Sequence, residues 1–142
     1  MSENSKRVRV PAQPDSLQQL RTLVRECAEA SGFDRDAVEQ LVLAVNEACM
    51  NVIQHGYQGR PGSIDLHIVP IDDGIEFRVH DSAQHVSLDD WRPRALDDLR
   101  PGGLGVHFIR EIMDEVEYVP VADGIGNSLC MKKYLHRGEN PR

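Results

Sequence analysis

Cysteine is scarce in this 142-residue chain, and the three it has cannot build a framework. Cys27, Cys49 and Cys130 are odd in number, far apart and set among apolar residues. That pattern argues for free thiols in a reducing cytoplasm rather than a disulfide scaffold. No CxxC and no paired Cys/His spacing occurs, so a zinc site has little support. No apolar run approaches the roughly 20 residues that span a bilayer. The N-terminal MSENSKRVRV lacks the apolar core of a secretory signal. Positive charge is also in short supply: 16 Lys and Arg stand against 23 Asp and Glu, a net charge of -7. Nucleic acid and anionic membrane surfaces attract basic patches, so neither is expected as a partner. Internal repeats and low-complexity tracts are missing too.

What is present is the composition of a folded domain. Hydrophobic residues make up 40% of the chain, enough for a core and too many for a disordered segment. The length fits one compact domain over residues 1–142. KRVRVPA alternates as a short edge strand that Pro11 and Pro14 end. A helix follows over about residues 15–30, with Leu17, Leu20, Val24 and Cys27 at helical spacing and Gly32 at its C-terminal cap. Asp34 suits the N-cap of a second helix whose apolar face is Val38, Leu41, Val42, Val45, Cys49 and Val52. Gly56, Gly59 and Gly62 end it. Ile64, Leu66 and Ile68, then Ile75, Phe77 and Val79, mark two strands joined by a DDG hairpin. Residues 86–101 carry charges, two prolines and the only tryptophan, and read as a loop or a broken helix; a loop this long in a small domain suits a lid or binding loop. GGLGVHFIREIMDEV opens a third helix with Leu104, Phe108, Ile109, Ile112 and Met113 apolar. Strands over about 115–121 and 126–135 close the chain. This order predicts an α+β two-layer sandwich: a mixed, mostly antiparallel sheet of about five strands with three main helices on one face.

The second helix contains an oddity. In LAVNEACMNVIQHGY, residues 43–57, Glu47, Asn51 and His55 recur every four residues beside the apolar face. A solvated helix edge explains such a row, and a histidine near a helix C-terminus complements the dipole. A ligand stripe explains it as well. Glu and Asn supply oxygen, which magnesium prefers, and a carboxylate one turn away can take a proton from a nucleophile. A second feature, PGGLGVHF, sets Gly102, Gly103 and Gly105 at a helix entry, where bare N–H groups bind phosphate and glycine lets the anion come close. Either signal alone is weak. Together they suggest a magnesium stripe and a phosphate cradle, separated by a hairpin that ends in Asp81.

These residues resemble a known family. NEACMNVIQHGY looks like the N-box of the histidine kinase-like ATPase superfamily, which has the Bergerat ATP-binding fold and includes gyrase-type ATPases. AVNEACMNVIQHGY, GGLGVHFIREIMDEVEY and the closing GIGNSLCMKKYL resemble the bacterial anti-sigma-factor serine/threonine protein kinases. The match covers roughly residues 8–135. The resemblance implies ATP and Mg²⁺ as cofactors. It implies Glu47 as general base or as the group that orients the attacking hydroxyl, and Asn51 as the Mg²⁺ ligand. Asp81 would accept a hydrogen bond from the adenine amino group. Gly102, Gly103, Leu104, Gly105 and Val106 would wrap the phosphates. Asn127 stands near the adenine where many relatives have threonine, and residues 86–101 would be the ATP lid. Partners implied are a sigma factor and an antagonist protein whose serine or threonine is phosphorylated, in a cytoplasmic, homodimeric transcription regulator. Within the lid, Trp91 is a candidate partner contact and Arg92 or Arg94 a candidate γ-phosphate contact.

One stretch departs from the family pattern. Asp-x-Gly-x-Gly is expected after the adenine-binding aspartate, and DSAQH stands here instead, with Ala83 and His85 in place of glycines. Residues with a β-carbon resist positive φ. That departure favours a second reading, a nucleotide-gated or nucleotide-free protein-binding module without kinase activity.

Overall fold

The computed structural model describes residues 5–57, 60–84, 103–120 and 125–135. Local chemistry sets most of its boundaries. Strand β1 (Lys6–Pro11) ends at its proline, and Pro14 opens a single 3₁₀ turn that leads into helix α1 (Leu17–Ala30). Leu17, Leu20, Val24, Cys27 and Ala28 form the buried stripe of α1. Gly32 stops the helix with φ 99°, a left-handed conformation that a β-carbon penalises. Asp34 then caps helix α2 (Arg35–Asn51), its carboxylate accepting the Ala37 N–H at 2.9 Å.

The expected hairpin is formed by β2 (Ser63–Ile71) and β3 (Gly74–Gln84), closed where Ile71 pairs with Gly74. Gly74 is required, because a β-carbon there would run into the backbone carbonyl of Lys133. Helix α3 (Gly103–Ile112) and strands β4 (Glu115–Pro120) and β5 (Ile125–Tyr134) complete the described chain. The sheet order is β1-β2-β3-β5-β4. Every pairing is antiparallel, so the parallel component allowed for by a mixed sheet does not occur among the described residues. The reason is the position of β5. Strands β3 and β4 run the same way, and β5 inserts between them, antiparallel to both.

Alternation gives the sheet two different faces. Val10, Ile64, Leu66, Ile68, Ile75, Phe77, Val79, Leu129 and Met131 are buried on one face, with Phe77 at the centre. The helices lie on that face: α1 packs on α2, α2 on α3, and each reaches a strand. The opposite face is polar. Asp65 on it is only 6% exposed, because the Arg7 guanidinium lies over it. Arg7 Nη2 donates to Asp65 Oδ2 at 2.9 Å and Nε to Oδ1 at 3.1 Å, with Arg9 Nη2 at 3.5 Å.

The Arg7 hydrogen bonds hold the Asp65 carboxyl below the usual carboxylate range, against the opposing effect of burial. A lowered folded-state pKa stabilises above the unfolded value and is lost as pH falls through the folded one. Asp65→Asn is therefore expected to cost about 1 kcal/mol at neutral pH. The difference in melting temperature from the parent should close below about pH 4, the ordinary carboxylate range. A gap that persists unchanged at pH 2–3, on the same ordinary scale, would show that charge is not its source.

The second helix does not run straight to its glycines. At Val52 it widens into one π-helical turn, Val52–Gly56, with the Tyr57 N–H bonding the Val52 carbonyl at 2.8 Å. An i→i+5 turn advances fewer degrees per residue than an α-turn, so His55 stands on a different helical geometry from Glu47 and Asn51. Glu47 and Asn51 are half-buried, whereas His55 is exposed.

Candidate functional site

Burial of Ala44, Val45, Ala48 and Cys49 fixes the rotation of α2 about its axis. That rotation sets Glu47 and Asn51 one turn apart at the edge of the buried stripe. Cys49 between them is chemically silent, since burial pushes its thiol up to about 12. The Asn51 amide is uncommitted: its Nδ2 is buried and has no hydrogen-bond partner among the described residues. An unsatisfied buried polar group costs about 1–3 kcal/mol, so its persistence calls for an explanation. A half-turn of the amide exchanges nitrogen for oxygen, and the position can then offer a hard oxygen ligand.

The second cluster lies at the end of β3. Asp81 follows Phe77 and Val79 on the helix-covered face and is 5% exposed. It pairs across the sheet with Asn127, whose Nδ2 donates to Asp81 Oδ1 at 2.9 Å. Asn127 Oδ1 is buried and has no partner among the described residues. Tyr118 shares this region: burial raises its hydroxyl pKa, and the Asp81 charge adds to the effect. A cluster that presents acceptors and an orphaned amide oxygen suits a ligand that brings hydrogen-bond donors. Beyond Asp81 the β3–β5 register shifts before Gln84. The backbone of Ala83 stays in the strand. Extended backbone is open to any residue, so alanine is accommodated where the family pattern has glycine.

The third piece is the entry of α3. Gly103, Leu104, Gly105 and Val106 form its first turn, where N–H groups have no intrahelical partner. Packing of α2 on α3, and of the π-turn on β3, brings all three pieces to the helix side of the sheet. Gly102, His85 and the 86–101 segment with Trp91, Arg92 and Arg94 lie outside the described residues. No cluster of three or more His, Cys, Asp or Glu side chains that could hold a metal occurs among the described residues. Magnesium often keeps few protein ligands, with substrate phosphates completing its shell. An open groove between β1 and α1, lined by Lys6, Val8, Gln19 and Leu23 among others, contains none of these residues.

The sequence model of the histidine kinase-like ATPase domain matches residues 10–133, most of the chain and all three pieces of the site. The chain belongs to the histidine kinase-like ATPase family. Within that family it is similar to the serine-protein kinase RsbW of Bacillus subtilis (strain 168), 32% identical over 138 residues, covering 91% of this chain and 84% of the relative. The RsbW of Halalkalibacterium halodurans is 33% identical over 138 residues, covering 92% and 83%. The fold is that of a crystal structure of the RsbU and RsbW domains of Rv1364c from Mycobacterium tuberculosis, with TM-score 0.65 at 18% identity. That match covers 92% of this chain but 32% of the other, so this ATPase-family chain spans about a third of that protein. The histidine kinase domain of Erythrobacter litoralis EL346 shares the fold at TM-score 0.57 and 15% identity, covering 90% of this chain and 63% of that one. No helix among the described residues of this family member is long and apolar enough to cross a membrane.

Two residues of the site were not singled out by the sequence. Tyr57 closes the N-box helix and reaches across to β3, and Tyr118 stands beside Asp81. Tyr57 had a signal, as the last residue of the motif-bearing helix. Tyr118 had only its alternation within EVEYVP.

Proposed function

We propose that this protein is a Mg·ATP-dependent serine/threonine protein kinase of the anti-sigma type. It transfers the ATP γ-phosphoryl group to an antagonist protein and, as a homodimer in the cytoplasm, sequesters a sigma factor that the unphosphorylated antagonist releases. The observation that carries this reading is the unmatched polarity of the site. The Asp81–Asn127 pair, with an Asn127 Oδ1 that has no partner among the described residues, suits an amino-bearing base, and the Asn51 amide, its Nδ2 likewise without a partner among them, suits a cation. The names of the relatives, serine-protein kinases, agree with it.

Each residue then has a task. Asp81 accepts from the adenine amino group, and Asn127 holds the Asp81 carboxylate at its Oδ1. Gly102, Gly103, Leu104, Gly105 and Val106 offer backbone N–H groups to the phosphates. Asn51 contributes an oxygen to the metal. Bound magnesium would offset the negative charge on the phosphates during transfer. Glu47, one turn away, takes the proton of the attacking hydroxyl as its oxygen bonds to phosphorus and the bond to ADP breaks. Residues 86–101 would close over the nucleotide, with Trp91 toward the protein substrate and Arg92 or Arg94 toward the γ-phosphate.

The test is capture of partners from the native cytosol on the immobilised protein, followed by incubation with Mg²⁺ and γ-labelled ATP. Label on a serine or threonine of a recovered protein is expected. Stable capture with no label on any recovered protein would overturn kinase activity in favour of a binding module.

A further inference from the structure

Tyr57 ties together the two elements that carry the candidate site. Its backbone closes the π-turn that ends α2, and its side chain is 8% exposed. The hydroxyl makes three hydrogen bonds. It donates to the Ser63 carbonyl at 2.7 Å and accepts the N–H groups of Ser63 at 3.2 Å and Ser82 at 2.8 Å. Those partners have a particular place. Regular pairing of β2 with β3 ends at Ile64 opposite Asp81, so Ser63 and Ser82 are the next rung. The phenol hydroxyl occupies that rung and joins the two strands through a side chain. On its other flank, β3 loses register with β5 just after Asp81. Asp81 is thus the last regular residue of β3 on both sides. The group that closes its ladder comes from the helix that bears Glu47 and Asn51.

The surroundings accommodate this arrangement. A β-carbon at Gly62 would run into the Tyr57 ring, so the chain leaves room there for the phenol. Packing alone does not call for the hydroxyl, because phenylalanine would fill the same volume. The oxygen serves the strand ends.

We infer that Tyr57 is a positioning residue for nucleotide binding, its hydroxyl latching the end of α2 to the end of β3. The latch fixes the metal and phosphate half of the site, on α2 and α3, relative to the base half, at Asp81. It acts through Asp81 and Ser82 and need not touch the nucleotide. The inference rests on the ATP-binding reading above and adds to it a residue that sets the spacing of its two halves.

Tyr57→Phe in the full chain is the test, read in two independent ways. In the nucleotide-free protein, amide hydrogen exchange at Ser63 and Ser82 should speed up by about tenfold or more, as each amide loses its acceptor. Exchange at Val24 and Leu41 in the core should be unchanged. In calorimetry, ATP spans both halves and adenosine only one. ATP affinity should fall about tenfold relative to adenosine affinity, the signature of lost alignment. Gly62→Ala, which keeps the hydroxyl but displaces the ring, should reproduce both effects and serves if the first variant folds poorly. Unchanged exchange at Ser82 would overturn the latch. Faster exchange with an equal loss of ATP and adenosine would overturn its positioning role. If the parent protein binds no ATP, the proposed function fails instead, and the exchange rates alone decide whether the latch exists.

Discussion

Glu47→Gln is expected to bind Mg·ATP about as tightly as the parent and to transfer phosphate to its protein substrate at least about a hundredfold more slowly. The substitution keeps the length and shape of the side chain on a helix whose rotation is fixed by buried Ala44, Val45, Ala48 and Cys49. It keeps hydrogen-bonding capacity, so the half-buried position loses little packing. What it removes is a group that can accept a proton. If the hydroxyl proton goes to Glu47, the amide has nowhere to put it, and the loss falls on the chemical step rather than on affinity. Single-turnover transfer from γ-labelled ATP, with calorimetry run beside it, separates the two. Transfer at the parent rate would remove Glu47 from the chemistry and return it to the solvated edge of α2. Weakened binding with an unchanged single-turnover rate would make it a binding residue instead.

The contrast between Glu47 and Asp81 shows what a sequence makes legible here. Glu47 and Asn51 were visible because an i, i+4 spacing is a geometric statement about one helix. Gly32, Asp34 and the DDG turn were visible for a similar reason: each answers a backbone demand within a few residues. Asp81 had no such local signature. Its partner Asn127 is 46 residues away, and the two meet only because β5 inserts between β3 and β4. Strand order is a long-range outcome that alternation does not encode, so only family resemblance points to a role for Asp81. The π-turn was hidden for a related reason. Nothing in VIQHG demands an i→i+5 bond. The Tyr57 hydroxyl, tied to Ser63 and Ser82 across the sheet, anchors the chain just beyond it. That long-range tie accompanies the change of helix geometry under His55. Ala83 was legible in identity but not in consequence. Positive φ was the conformation at issue, and the strand simply continues through it.

Asn51→Ala should act with opposite signs on the free and the nucleotide-bound protein. In the free protein Asn51 Nδ2 is buried with no partner among the described residues, so its removal relieves a desolvation cost. Alanine is also the better helix former, by several tenths of a kcal/mol. The melting temperature without ligand is expected to stay level or rise slightly, unlike the loss that follows deletion of a satisfied core group. The bound protein should show the reverse. A ligand that binds only the folded state, at about 100 times its dissociation constant, adds roughly 2.7 kcal/mol. Millimolar Mg·ATP should therefore raise the parent's melting temperature by several degrees. In the variant, with no oxygen at this position for the metal, the rise should vanish. Asn51→Asp restores an oxygen and should recover part of it, and chelation of Mg²⁺ should reduce the parent to the behaviour of the alanine variant. Thermal melts of the three proteins with ATP, with and without Mg²⁺, decide the matter. A parent that shows no shift at any Mg·ATP concentration would sink the nucleotide reading altogether. A full shift in Asn51→Ala would leave ATP bound but show that its metal is held without the α2 amide.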